Sequence, residues 1–256
     1  MCTVTWWLAP DGGGYEVFFN RDERRTRGPA EAPALAHGQK VDYLAPTDAD
    51  FGGTWLLVNA YGLTLALMNH YPVDPRKPLA PSRSRGQLPR KLADCATVAE
   101  VRALLNPVEL SHYSACFLFA FERGKKPGKW MWDTRNLLED APAEPLPFFT
   151  SSSFRGEDVR RHRREVFAKN FAAKGLPDPA NLEQFHLYQE KERPAFGILM
   201  DRSDARTVSF SHITVGSAQE VVFSYRPRAV GDGTLPEPAV VARLALHVPL
   251  VSNLAP

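Results

Sequence analysis

The residue of this 256-residue chain best placed for chemistry is the cysteine that follows the opening methionine. Methionine ahead of a small residue is normally trimmed, which would leave Cys2 carrying a free α-amino group beside its own thiol. The thiol would then be the nucleophile and the amine its base, since the two groups titrate near ~8.5 and ~7.7–8.0. Cys95 and Cys116 have no such built-in base. On an expected helix and an expected strand, they read as small buried hydrophobes. A second polar cluster, Asn20-Arg21-Asp22-Glu23, comes directly after Val17-Phe18-Phe19. Arg21 would stabilise a thiolate, and Asp22 or Glu23 would orient the amine of residue 2. The block also suits a solvated turn held by local ion pairs. Strand alternation sets Asn20 and Asp22 on one face and Arg21 and Glu23 on the other, so a bulge or the strand's end is needed for all to meet.

The elements that must position these groups are legible in outline. Residues 3–8 and 15–19 are β-branched and aromatic, and Pro10-Asp11-Gly12-Gly13-Gly14 between them signals a hairpin. A second hairpin is predicted from 54–58 and 63–68 around Asn59-Ala60-Tyr61-Gly62. Apolar spacing over 87–105 predicts one or two amphipathic helices. Strands are expected near 115–122 and 129–133, helices over 157–174 and 181–191, and strands again at 196–200, 206–215, 219–225 and 240–248. Pro-rich stretches at 72–90 and 142–147 read as surface loops, and the tail from Arg226 is Pro-rich until the last strand. This order implies α+β layers with antiparallel sheets and a single domain over 1–256.

Composition narrows the function. Thirty-one Lys and Arg against 29 Asp and Glu leave a net charge of +2, which argues against a nucleic-acid partner. No apolar run approaches the ~18 residues of a membrane span. The opening residues lack the basic region of a secretory signal, and three widely spaced cysteines form no disulfide framework. A cytoplasmic setting is expected. The seven histidines show no ligand spacing, so no metal is expected. The run Arg160-Arg161-His162-Arg163-Arg164, flanked by Glu157, Asp158 and Glu165, reads as a solvated helix face.

Met1-Cys2, Asn20-Arg21-Asp22-Glu23, Gly52-Gly53-Thr54-Trp55-Leu56 and Leu67-Met68-Asn69 together resemble the NRDE-motif family of the transport and Golgi organisation protein two. The agreement continues through Ser84-Arg85-Gly86 to Arg206-Thr207. The arrangement is also similar to the cysteine N-terminal-nucleophile (Ntn) amidases, among them penicillin V acylase and bile salt hydrolase. This resemblance implies a four-layer αββα sandwich of two antiparallel sheets. It implies Cys2 as nucleophile, with Arg21, Asp22 (Glu23 the rival) and Arg206 beside it. Asn69 falls where the amidases keep a side-chain oxyanion donor, a contact worth roughly 2.7–4 kcal/mol to a tetrahedral transition state. Asn20, Glu23, Trp55, His70 and Ser151 are the expected substrate contacts. Ser151 stands where the amidases have asparagine, and a short, freely rotating hydroxyl is a poorer preorganised donor.

The activity implied by this resemblance is hydrolysis of a small-molecule acyl amide, ester or thioester without a cofactor. The family alternative is a non-catalytic carrier or chaperone of haem or lipid, or more remotely a scaffold in Golgi organisation.

Overall fold

The computed structural model describes residues 2–80, 82–139, 146–172, 177–216, 219–229, 235 and 239–247. The first hairpin is β1 (Cys2–Leu8) and β2 (Tyr15–Arg24), whose pairing runs from Cys2↔Arg21 to Leu8↔Tyr15. The chain then lays down the second sheet as a meander, each strand beside its predecessor. The order is β3 (Glu31–His37), β4 (Asp42–Thr47), β5 (Leu56–Asn59), β6 (Thr64–Asn69), β7 (Cys116–Phe121), β8 (Gly128–Trp132) and β9 (Leu137–Glu139). Three short helices interrupt it between β6 and β7: α1 (Gln87–Lys91), α2 (Val98–Leu104) and α3 (Pro107–Leu110). The chain returns to the first sheet through β10 (Phe148–Ser151). Helices α4 (Gly156–Ala172) and α5 (Pro179–His186) come next, then β11 (Ala205–Val215), β12 (Glu220–Pro227) and β13 (Val240–Ala245). The first sheet has the order β10-β1-β2-β11-β12-β13, all antiparallel.

Period-two alternation splits each strand of the first sheet between two cores. Val4, Tyr15, Val17 and Phe19 face the second sheet, where they meet Leu56, Val58, Phe119 and Phe121. Phe18 and Phe148 face the other way, onto Phe167, Phe171, Leu182 and Phe185 of α4 and α5. On the far side, Leu88, Leu92 and Val101 pack against Leu65, Leu67 and Leu118 of the second sheet. The layers are therefore helix, sheet, sheet, helix: the αββα sandwich. Trp6 and Trp7, adjacent in sequence, serve the inter-sheet core and the helix-side core respectively.

Several expectations need correction. Residues 196–200 are buried but form no strand. The amides of Ile198 and Leu199 both donate to the Tyr188 carbonyl, and the carbonyls of 196–198 accept from side chains, so the backbone is satisfied without a ladder. Helix α5 starts at Pro179 behind an Asp178 cap and ends at His186 rather than 191. Cys95 lies beyond the end of α1, not within a helix. The loop expected over 142–147 falls mainly outside the described residues, as do the ends of the helix expected to 174 and the strand expected to 248, and most of 230–238.

Candidate active site

Strand β1 lies between β2 and β10, so its first residue has a neighbour on each side: Cys2 opposes Arg21 and Ser151. Directly opposed residues in an antiparallel pair share a face. All three side chains therefore point, with Val4 and Phe19, toward the second sheet. At this end of the sandwich the two sheets enclose a cleft of about 610 Å3. Cys2, Arg21, Glu23, Asp48 and Trp55 line it, as does Asn69 at the end of β6 in the opposite sheet. An adjoining cavity of about 360 Å3 shares Asp22, Glu23, Arg27, Asn69 and Arg85 with it.

Arg21 is buried and fixed on three sides. Its Nη2 lies 2.5 Å from Asp48 Oδ2 and 3.5 Å from Glu23 Oε2, and its guanidinium stacks 4.1 Å over the Trp55 ring. Asp48 also accepts from Arg27, while its Oδ1 takes the amides of Asp50 and Phe51. Burial pushes the Cys2 thiol above the ordinary cysteine range, and the charge of Asp22 adds to this. The Asp22 backbone N–H and Arg21 pull the other way. A thiol so placed needs a base to become a nucleophile.

The helix side of the sheet carries the partners of the even-numbered residues of β2. Asp22 Oδ1 accepts from Thr207 Oγ1 at 2.6 Å, and Oδ2 lies 3.6 Å from Arg163 Nη2. The bulge that the sequence required is present, but in the neighbouring strand. The register passes from Thr207↔Asp22 to Ser209↔Arg21, leaving Val208 as the extra residue of β11. Asp22 Oδ2, Trp55 Nε1 and Ser151 Oγ are buried with no hydrogen-bond partner among the described residues.

The expected site residues thus divide. Cys2, Arg21, Asp22, Glu23, Trp55 and Asn69 line one cleft, with Ser151 beside Cys2 in register. Asn20 does not reach it. It is fully buried on the helix side, donating to the carbonyls of His186 and Ile198 at 2.8 and 2.9 Å and meeting His186 Nδ1 at 3.1 Å. Arg206 also departs from expectation: it pairs with Glu23 in register, two strands from Cys2, and its Nη1 donates to the Ala229 carbonyl at 3.1 Å. The lining of the cleft does not include it. His70 packs 4.6 Å from Phe117, its pKa lowered by burial, and lies outside the lining.

Sequence reasoning missed Asp48, the carboxylate that anchors Arg21, and Arg163. The solvated reading of the arginine run holds for Arg160, Arg161 and Arg164 but fails at Arg163, which is fully buried. A signal was available: Val159, Arg163, Phe167 and Phe171 recur every fourth residue and share one helix face. Asp48 had only its place ahead of Gly52-Gly53. Gly53 and Gly86 build the cleft wall, because a Cβ on Gly53 would lie 2.7 Å from the Gly86 Cα, and Thr54 N donates to Gly86 O at 2.9 Å. The loop bearing Trp55 and the loop bearing Arg85 thus meet backbone to backbone. Among the described residues no group of three His, Cys, Asp or Glu is placed to hold a metal ion, and no helix is long and apolar enough to cross a membrane.

Comparison with known proteins places this geometry. A family model described as Transport and Golgi organisation 2 matches residues 1–130. No curated relative matches the sequence. Among solved structures, a mutant conjugated bile acid hydrolase from Clostridium perfringens aligns with a TM-score of 0.52 at 12% identity, over 96% of this chain and 92% of that one. Penicillin V acylase from Agrobacterium tumefaciens aligns with a TM-score of 0.51 at 10% identity, over 88% and 83% of the two chains. At such identities the likeness is one of fold.

Proposed function

Because the chain belongs to the Transport and Golgi organisation 2 family and has a hydrolase-like fold shared with Ntn acylases, we propose that it cleaves an acyl amide, ester or thioester through Cys2. The observation that carries this reading is the register Arg21–Cys2–Ser151 at a cleft whose opposite wall bears Asn69. In the mature chain the freed amine of Cys2 takes the thiol proton, and the sulfur attacks the substrate carbonyl. Asn69 Nδ2–H and a backbone N–H bind the oxyanion. Collapse expels the amine, alcohol or thiol leaving group, which takes the proton from the ammonium. Water then cleaves the thioester, releasing a carboxylic acid and restoring the thiol. Asp22 is assigned the role of orienting the amine, since Glu23 is engaged with Arg21.

Intact-mass spectrometry with a thiol-directed acyl probe tests this. We expect Met1 to be absent and one acyl group to be added at Cys2. Cys95 and Cys116 should stay unlabelled, because burial pushes their thiols up to about 11 and about 12. Retention of Met1, or label spread over all three cysteines, would refute the amine-base mechanism. A second reading, a cleft that carries haem or lipid without turnover, is favoured by the upward push on the Cys2 thiol and by serine at position 151. It requires ligand binding that survives Cys2→Ala with no acyl-enzyme in the unaltered protein.

A further inference from the structure

Arg163 sits in the apolar stripe of α4, between Val159 and Phe167, with its side chain wholly excluded from solvent. Packing alone would fill such a position with another hydrophobe, because a buried guanidinium is tolerated only where its donors and charge are met. Here they are met by the strand ends that form the Cys2 site. Nη1 donates to Thr3 Oγ1 and Thr150 Oγ1, each at 2.9 Å. Those hydroxyls lie 3.0 Å apart, and Thr150 Oγ1 in turn donates to the Cys2 carbonyl at 3.1 Å. Nη2 donates to Gly197 O at 2.7 Å and approaches Asp22 Oδ2 at 3.6 Å, while Nε reaches Phe196 O at 3.4 Å. One planar group thus touches the residue after Cys2 on β1, the residue before Ser151 on β10, and Asp22 on β2.

We propose that Arg163 is a positioning residue of the Cys2 site, fixing the register of β10, β1 and β2 around the nucleophile and facing the Asp22 carboxylate with its countercharge. The inference rests on the reading of Cys2 as nucleophile. Asp22 has two orienting partners: Thr207 fixes Oδ1 through a hydrogen bond, and Arg163 faces Oδ2 with charge. The other titratable groups bearing on this centre are Cys2 and Arg21 on the sheet and His186 on α5, which burial keeps neutral. Arg163 and Asp22 are therefore the balanced charges of the helix-side layer at this point. With the cation removed, the Asp22 carboxylate loses the charge that faces its Oδ2, and residue 2 loses the group that orients its amine.

The experiment measures iodoacetamide alkylation of Cys2 against pH, by peptide mass spectrometry on the full-length processed protein, for the native chain, Arg163→Met, Asp22→Asn and the double variant. We expect Arg163→Met to alkylate at least tenfold more slowly at pH 7, with its profile moved to higher pH. Arg163→Lys should restore part of the shift. The Arg163 effect should vanish in the Asp22→Asn background, since both act through one carboxylate. A folded Arg163→Met with the native profile, or an effect that adds fully to that of Asp22→Asn, would overturn the proposal. Should the methionine variant not fold, Arg163→Gln, which keeps hydrogen-bond donors without the charge, carries the same cycle with Asp22→Asn, and a native profile there is equally decisive. Alkylation needs no substrate, so a native chain that fails to form an acyl-enzyme defeats the hydrolase reading and leaves the Arg163 result distinct.

Discussion

Acidification below neutrality should destabilise this protein through His186. Its ring is fully buried against the helix-side face of β1 and β2, with Nε2 2.9 Å from Thr5 Oγ1 and Nδ1 3.1 Å from Asn20 Oδ1. Because Asn20 Oδ1 can only accept, Nδ1 carries the hydrogen, and Nε2 accepts from the threonine hydroxyl. The neutral ring is thus satisfied on both sides. Burial lowers its pKa from 6.5 to about 3, with the charges of His212 and Arg163 adding to the effect. The folded form therefore resists protonation that the unfolded chain accepts freely. Stability is complete above pH 6.5, falls as the pH drops below it, and stops falling through this group near pH 3. Integrating the difference in bound protons gives a loss of about 2 kcal/mol between pH 7 and pH 5, and about 4 kcal/mol by pH 3. For a chain of this size, 2 kcal/mol corresponds to a Tm drop of roughly 4–8 °C. Urea unfolding at pH 7 and pH 5 measures the effect, with His186→Gln as the non-titrating control. The variant should be less stable at pH 7 and lose about 2 kcal/mol less than the native chain on acidification. Equal losses in the two proteins would refute the reasoning.

Two further substitutions probe the frame of the site. Asn20→Ala removes three buried hydrogen bonds, leaving the His186 carbonyl and ring N–H unmet and the Ile198 carbonyl with only a 3.4 Å contact from Thr207 Oγ1, so a destabilisation of about 3 kcal/mol is expected. Calorimetry checks it, and a variant of native stability with abolished Cys2 acylation would instead return Asn20 to the substrate site. Gly86→Ala would set a Cβ 2.8 Å from Thr54 N and 2.9 Å from the Gly53 Cα, atoms of backbone that cannot rotate away. A cost of about 1–3 kcal/mol is expected from overpacking. An unchanged urea midpoint would show that the two loops are not clamped together.

The sequence by itself determined those features that depend on near neighbours. The glycine-rich turn after β1 pairs it with β2, and that pairing sets Arg21 opposite Cys2. Alternation along β2 assigns Arg21 and Glu23 to one face and Asn20 and Asp22 to the other; Asn20 keeps to the helix side, whereas Asp22, beside the bulge, bonds Thr207 and also borders the cleft. The Val159–Arg163–Phe167–Phe171 spacing already placed an arginine on an apolar face, although its charged neighbours masked it. Only the tertiary structure decided which strand covers the open edge of β1. Phe148–Ser151 does so from far along the chain, bringing Ser151 beside Cys2 and Thr150 within reach of Arg163. It also took Arg206 away from the nucleophile, through a bulge at Val208 and a carbonyl at Ala229 that no local pattern announces. The reason is physical: alternation and helical spacing are properties of a few consecutive residues. Which distant backbone satisfies a strand edge or a buried guanidinium is settled by the packing of whole layers.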